Sequence, residues 1–427
     1  MSKQKSISSR IFEIIIGSII GLIIGFSIVF IYNHYMLPDI MYDFKTYDGI
    51  CFDYKKEEEN YINNLYYKQL TEDQARHYRC MYHASINDDT KYYLESFDMF
   101  DSDDAARAVL AFSFDYPEYY WFGQIINANT VSEKDYLNLF SHYYVEVSCE
   151  CDSFKEDDLF NNKNIINRKV EEIIPTLIGE NDVDTIKNVY DYVVNNVEYN
   201  LEYINMSDIR PVFLFEKGVC SSYAEAFQLL CNKLGYECYS VQGNAEYLYE
   251  TEESLNNEVL KQIPDDALHE WNIIKINDSW YWVDTTWGDN DNNHTNLQGI
   301  VSDVSSYSFF LVPDSIFLLD HTPDVLFKYP ECNDDSLYFN EGSVLIDNYD
   351  ESLINYHIGE AFKNKRNDFT FHFTSGSDVD KFLDWIEQGK FYNVYQNTIY
   401  LYYSGNLEYN IATNCSVYLN WRIKNLY

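Results

Sequence analysis

Basic residues are scarce in this chain: 30 Lys and Arg stand against 69 Asp and Glu, for a formal net charge of −39. Binding to nucleic acid needs clustered cations to neutralise phosphates, and no surplus exists, so nucleic acid is excluded as a partner. Broad contact with an anionic surface is disfavoured for the same reason, whereas a basic substrate would be steered favourably. Metal-binding patterns are missing too. No Cys-x-x-Cys pair occurs among the nine cysteines, so zinc has no ready ligand set. Asp289-Asn-Asp-Asn-Asn293 begins like a calcium loop, but His294 stands where Gly is required and Ile300 where Glu is required. Neither metal nor cofactor is expected. Repeats of fixed period and long Gly/Ser or Pro linkers are also absent.

An odd number of cysteines cannot all pair within one chain. Val145, Val147, Cys149 and Cys151 alternate with Glu146, Ser148 and Glu150. That is the period of a half-buried strand in which cysteine serves as a small hydrophobe.

A single apolar run reaches membrane-spanning length. From Ile14 to Tyr32 the sequence IIIGSIIGLIIGFSIVFIY carries no charge, about what a helix needs to cross a bilayer. Lys3, Lys5 and Arg10 precede it, and Asp39, Asp43 and Asp48 follow. The positive-inside bias therefore places the N-terminus in the cytoplasm and the remainder outside. Asn33 to Met36 do not form a small-residue cleavage site, so a retained single-pass anchor in the cell membrane is expected rather than a signal peptide. Gly17, Gly21 and Gly25 form a stripe through which two such helices can pack as a homodimer.

The chain divides into four regions: a tail and transmembrane anchor (1–35), an N-terminal extracytoplasmic region (36–175), a block rich in reactive residues (176–330) and a small α+β C-terminal domain (331–427). In the second, the pattern predicts a helix over 57–77 and a strand over 143–151. In the last, strands over 369–374 and 397–403 flank a helix over 379–388, with Phe382, Leu383 and Ile386 on its buried face.

The third region carries the chemistry. GVCSSYAEAF, from Gly218, opens a helix on which Tyr223, Ala226, Phe227, Leu230, Cys231 and Leu234 share a face, and Gly235 supplies a stop. Cys220 thus stands at a helix start, where free N–H groups and the positive dipole end favour a thiolate and can stabilise an oxyanion. Downstream, HEWNIIKI from His269 and WYWVDTTW from Trp280 read as two strands joined at Asn277-Asp278. A two-residue turn there pairs Ile276 with Ser279 and Trp271 with Asp284, leaving His269 one diagonal step from Asp284 on the same face. A one-residue slip would separate them. A carboxylate on one imidazole nitrogen leaves the other to exchange a proton with a thiol, which makes Cys220, His269 and Asp284 a candidate triad.

These motifs resemble the transglutaminase-like superfamily: Gly-x-Cys at a helix start, a His-x-Trp-Asn strand and a Trp-Tyr-x-Val-Asp-x-Thr-Trp strand. Weaker similarity extends to the helix at Ile186–Tyr199, to DYPEYYWF at 115–122, and to Tyr307–Asp314 and Asp320-His321, so that it covers about residues 100–325. The resemblance implies an α+β, papain-like fold, with a Cys-bearing helix packed on an antiparallel sheet that carries His and Asp. It also implies Cys220 as nucleophile, His269 as general base and acid, and Asp284 as orienting carboxylate, acting on a protein or peptide amide. The acidic stretch 246–268 is longer than the link in the simplest members. The alternative is a membrane-tethered binding or scaffold protein whose papain-like domain is not catalytic.

Overall fold

The computed structural model describes residues 55–95, 101–123, 126–134, 141–149, 156–245, 268–289, 306–338, 343–364, 368–399, 405–413 and 416–423. The expected membrane segment, with Gly17, Gly21 and Gly25, lies outside these residues. So do most of the acidic stretch (246–267) and residues 290–293 of the calcium-like segment. Among the described residues no helix is long and apolar enough to cross a membrane.

The N-terminal part contains α1 (Glu72–Ile86), β1 (Lys91–Glu95), α2 (Ser102–Asp115), β2 (Ile126–Lys134), β3 (Ser141–Cys149) and α3 (Glu156–Leu177). Its strands form an antiparallel sheet in the order β1-β3-β2. The helix expected over 57–77 is not continuous. A 3-10 segment covers Lys55–Asn60, and α1 begins only at Glu72. Thr71 and Gln74 form a capping box that marks this start. Between the two segments Tyr61, Tyr66 and Tyr67 turn into the core, which a single helical face would not allow.

The central part follows with α4 (Asp182–Asn196), β4 (Glu198–Tyr199), α5 (Arg210–Phe215), β5 (Lys217–Gly218) and α6 (Cys220–Lys233). Next come β6 (Glu237–Ala245), β7 (His269–Ile276), β8 (Ser279–Val283), α7 (Thr285–Gly288), α8 (Asp314–Phe317) and β9 (His321–Pro323). An antiparallel sheet of order β8-β7-β6-β9 is the platform. The β7–β8 hairpin has the expected register, Ile276 opposite Ser279 and Asn272 opposite Val283, and Asn277 enters the turn at φ 55°.

α6 lies between this sheet and α4, so its burial exceeds one stripe: Ser222, Ala224, Gln228 and Leu229 are buried along with the expected apolar face. Polar contacts tie it to its neighbours at two points. Asn272 donates to the Ala224 carbonyl at 2.9 Å, and Gln228 donates to the Phe114 carbonyl at 2.6 Å while accepting from the Ser240 N–H at 2.8 Å. Gly235, at φ 92°, ends the helix.

One hydrophobic core runs from Tyr61 to Tyr338 and a second from Ile346 to Trp421. The second belongs to β10 (Ser343–Ile346), α9 (Glu351–Lys363), β11 (Asp368–Phe373), α10 (Gly376–Glu387), α11 (Lys390–Ile399), β12 (Gly405–Thr413) and β13 (Ser416–Ile423). Its sheet order is β10-β11-β13-β12, with β10 parallel to β11. α10 buries Phe382 and Ile386 as expected. Residues 397–399, expected to begin a strand, instead end α11. Phe391, Val394 and Tyr395 set a helical period there and are buried, with Phe391 and Tyr395 packed on Phe362.

Gly243 is where β9 closes onto the sheet. A Cβ there would fall on the Thr322 carbonyl and lie 2.8 Å from the Trp271 ring and 2.9 Å from Pro323 Cα. Gly243→Ala should therefore push β9 off β6 and destabilise the fold by roughly 1–3 kcal/mol, the scale of overpacking. Urea unfolding with an unchanged midpoint would contradict this.

Candidate active site

Cys220 is the first residue of α6, and Val219 before it places no side chain over the helix end. The first-turn N–H groups therefore remain available around the thiol, and no acidic side chain occupies that turn. The approach to this point requires glycine: a Cβ at Gly218 would sit 2.5 Å from the Ser222 Cβ. Cys220 is a free, partly exposed thiol.

His269 opens β7 and Asp284 follows β8, so the hairpin register brings both to one end of the sheet. His269 Nε2 lies 2.8 Å from Asp284 Oδ2. The Cys220 thiol lies close enough to the His269 ring to help raise its pKa, and Nδ1 is the ring nitrogen that Asp284 does not hold. The structure thus brings together all three residues singled out by the sequence.

Burial alone would lower the His269 pKa. The charge and hydrogen bond of Asp284, followed by the hydrogen bond and charge of Cys220, outweigh it and push the imidazole up to about 10. Burial likewise works to raise Asp284, but His269 and His321 hold its carboxyl well below the usual carboxylate range. The ring of His269 lies nearly parallel to Trp287, at 28° and 5.7 Å between centroids.

Asp284 is fully buried, and both its oxygens are committed. Oδ1 accepts from the N–H groups of Thr286 at 2.8 Å and Trp287 at 3.0 Å, capping α7. Oδ2 serves His269 and also a second imidazole, His321, whose Nε2 is 3.2 Å away. His321 Nδ1 in turn lies 2.6 Å from Asp320 Oδ1, and its ring stacks on Phe317 at 4.0 Å. Burial opposes a charge on His321, but Asp320, then Asp284, raise its pKa.

In the sequence, Asp320-His321 stands out only as a flanking similarity. Its contact with Asp284 depends on β9 pairing with β6, Ala245 opposite His321. No local pattern announces that pairing. Donor atoms of His269, Asp284 and His321 lie within 4.8 Å of one another, close enough to hold an ion; the same atoms are already joined by hydrogen bonds.

Beside Cys220 opens a cleft of about 430 Å³. Phe114, Tyr116 and Tyr120 form one wall; Tyr199, Ser221, Glu225 and Glu270 lie on the other sides. Burial, then the charges of Cys220 and Asp284, push the Tyr199 phenol upward.

The model of the transglutaminase-like superfamily matches residues 175–285, a span that contains Cys220, His269 and Asp284. The kyphoscoliosis peptidases of Homo sapiens and Mus musculus are 23% and 24% identical to this chain over 193 and 186 residues. Those alignments cover 42% and 40% of this chain but only 27% and 26% of the two peptidases, so the chain spans about a quarter of their length. A crystal structure of a TGase aligns over 52% of this chain and 55% of its own, at 15% identity and a TM-score of 0.24, too low to bear on the argument. Residues 175–285, with the motifs within them, thus form a transglutaminase-like domain.

Proposed function

We propose that the chain is a thiol acyl-transfer enzyme acting on peptide or glutamine-type amides, held outside the cell membrane by its N-terminal segment. The observation that carries the chemistry is one imidazole between two partners: His269 is bonded through Nε2 to a buried carboxylate and stands beside the thiol at the start of α6, which helps to raise its pKa. A histidine with a strongly raised pKa beside a cysteine favours the ion pair over the neutral pair.

In this reading the Cys220 thiolate attacks the acyl carbon, and the resulting oxyanion lies against the free N–H groups of the α6 N-terminus. His269 passes its proton to the leaving amine, and a thioester remains on sulfur. Water or an acceptor amine then attacks the thioester, His269 takes the proton released, and the thiolate departs. Water gives a peptidase or deamidase, and an amine gives a crosslink. Asp284 fixes the imidazole and stays ionised throughout.

An extracytoplasmic place rests on the sequence of residues 3–48. It is supported by Cys80, which is disulfide-bonded, a state typical of oxidising compartments. The anchor (1–35) and the C-terminal domain (331–427) would then tether and extend the core without entering the chemistry.

Iodoacetamide labelling of the full-length chain, with modified sites mapped by mass spectrometry, tests the ion pair. Cys220 should react readily below about pH 7, under the free-thiol pKa of about 8.5, and His269→Ala should slow it by about tenfold or more. An ordinary thiol titration of Cys220 that ignores the His269 substitution would refute the proposal.

The same pair makes a pH prediction. The folded pKa of His269, about 10, lies above the ordinary value of about 6.5. Its contribution to stability is therefore complete below about 6.5 and is lost as pH rises through about 10. Asp284, depressed, contributes in the opposite sense: its part is present above the ordinary carboxylate range and lost only in acid. Between pH 7 and 10, denaturant midpoints should fall more steeply for the wild type than for His269→Ala. Parallel curves would remove the basis for the raised pKa.

A further inference from the structure

The cleft beside Cys220 holds two carboxylates that the proposed chemistry does not use. Glu225 lies one turn along α6 from Ser221, and Glu270 lies on β7 opposite Gln242 of β6; all four line the cleft. Glu270 is only 5% exposed, and its Oε1 has no hydrogen-bond partner. Glu225 Oε2 is likewise buried without a partner. An ionisable group this deep ordinarily has a partner, because an unmatched buried charge is expensive.

The protein's own cation in this region is bound elsewhere. Arg210 grips Asp208 through Nε at 2.9 and 3.0 Å and through an Nη at 2.6 Å, and lies over the Tyr120 ring at 4.7 Å. Arg210, matched first to Asp208, offsets the burial of Glu225 only in part, and His269 does the same for Glu270. Burial pushes Glu270 up to about 7 against the opposing effects of Ser240 and His269, and pushes Glu225 well above its ordinary range, with the charges of Glu270 and Asp208 adding to the rise. Entry of a cation would reverse that balance. The aromatic wall of Phe114, Tyr116 and Tyr120 suits the aliphatic stem and charged head of a long basic side chain.

We propose that this cleft is a recognition pocket for a cationic side chain, Arg or Lys, of the peptide whose acyl group Cys220 attacks, with Glu225 and Glu270 as its counter-charges. The assignment rests on the thiol-enzyme reading for the identity of that peptide as substrate, but the binding does not depend on turnover. The acidity of the whole chain, 69 acidic against 30 basic residues, would draw the same class of peptide toward the pocket.

The test uses the full-length chain carrying Cys220→Ala, with calorimetric binding of short peptides that differ only in Arg, Lys, citrulline or norleucine. Citrulline keeps the shape of Arg and removes the charge. Arg and Lys peptides should bind roughly 10- to 100-fold more tightly than the citrulline peptide, as expected for a hydrogen bond to a charged group. Glu225→Gln and Glu270→Gln should each narrow that ratio, and the double variant should abolish it. Because the ratio is read within one protein, and the citrulline peptide reports whether the cleft is intact, a misfolded variant is recognised as such.

Equal affinity for Arg and citrulline peptides, or a preference that survives the double substitution, overturns the pocket. Binding of a simple alkylamine with no preference for Arg peptides also overturns it, because Arg cannot act as acceptor amine and the cation would then belong to the acceptor. Iodoacetamide labelling of the wild type separates the two readings. If the charge preference is present while Cys220 shows no dependence on His269, the pocket stands and the acyl-transfer reading falls.

Discussion

One buried carboxylate organises this site. Asp284 accepts four hydrogen bonds, two from backbone N–H groups and one from each of two imidazoles. The backbone bonds fix the plane of the carboxyl, and His321 braces the oxygen that His269 uses. Every element at this end of the sheet therefore converges on a single side chain: β7 through His269, α7 through its cap and β9 through His321. A charge with no exposure to water is tolerable only with this degree of satisfaction, and the same satisfaction restricts the motion of the imidazole. Stability and orientation here have a common cause.

The second organising feature is α6, which is buried on most sides. It faces β6 and β7 through Asn272 and Ser240, the N-terminal part through Gln228 and Phe114, and α4 along its apolar face. A helix held from three directions keeps the position of its first residue well defined. That residue is the thiol. The net acidity of the chain acts on a longer length scale: it selects which molecules approach, while the local arrangement decides what happens once they arrive.

Much of the site was legible in the sequence because it depends on local rules. The two-residue connection at Asn277-Asp278 sets the hairpin register, and the register alone puts His269 and Asp284 on one face. The Gly218-Val-Cys220 motif and the apolar spacing behind it likewise mark a helix start. His321 was less legible, since its place depends on β9 crossing to pair with β6 after a long connection. Glu225 and Glu270 gave no signal either: in one dimension they are ordinary acids on a helix and a strand, and only packing shows that they are buried without partners. The helix expected over 57–77 failed for a related reason. The charged stretch includes Tyr61, Tyr66 and Tyr67, which are drawn into the core, and Thr71, which starts a new helix. Near 397–399, a run of β-prone residues was overridden by the helical packing of Phe391, Val394 and Tyr395.

The hydrophobic core that joins described residues between Tyr61 and Tyr338 has a consequence for how such a protein can change. The stretch 175–285 contains the thiol and its imidazole partner, but the brace His321 comes after it and the wall Phe114–Tyr120 comes before it. The site is thus assembled from stretches far apart in the sequence. Substitutions in α2 and in the Pro117–Phe122 segment can reshape what the cleft admits while leaving the sulfur and its proton partner untouched. The reactive motif within 175–285 therefore does not by itself fix the shape of the cleft that opens beside it.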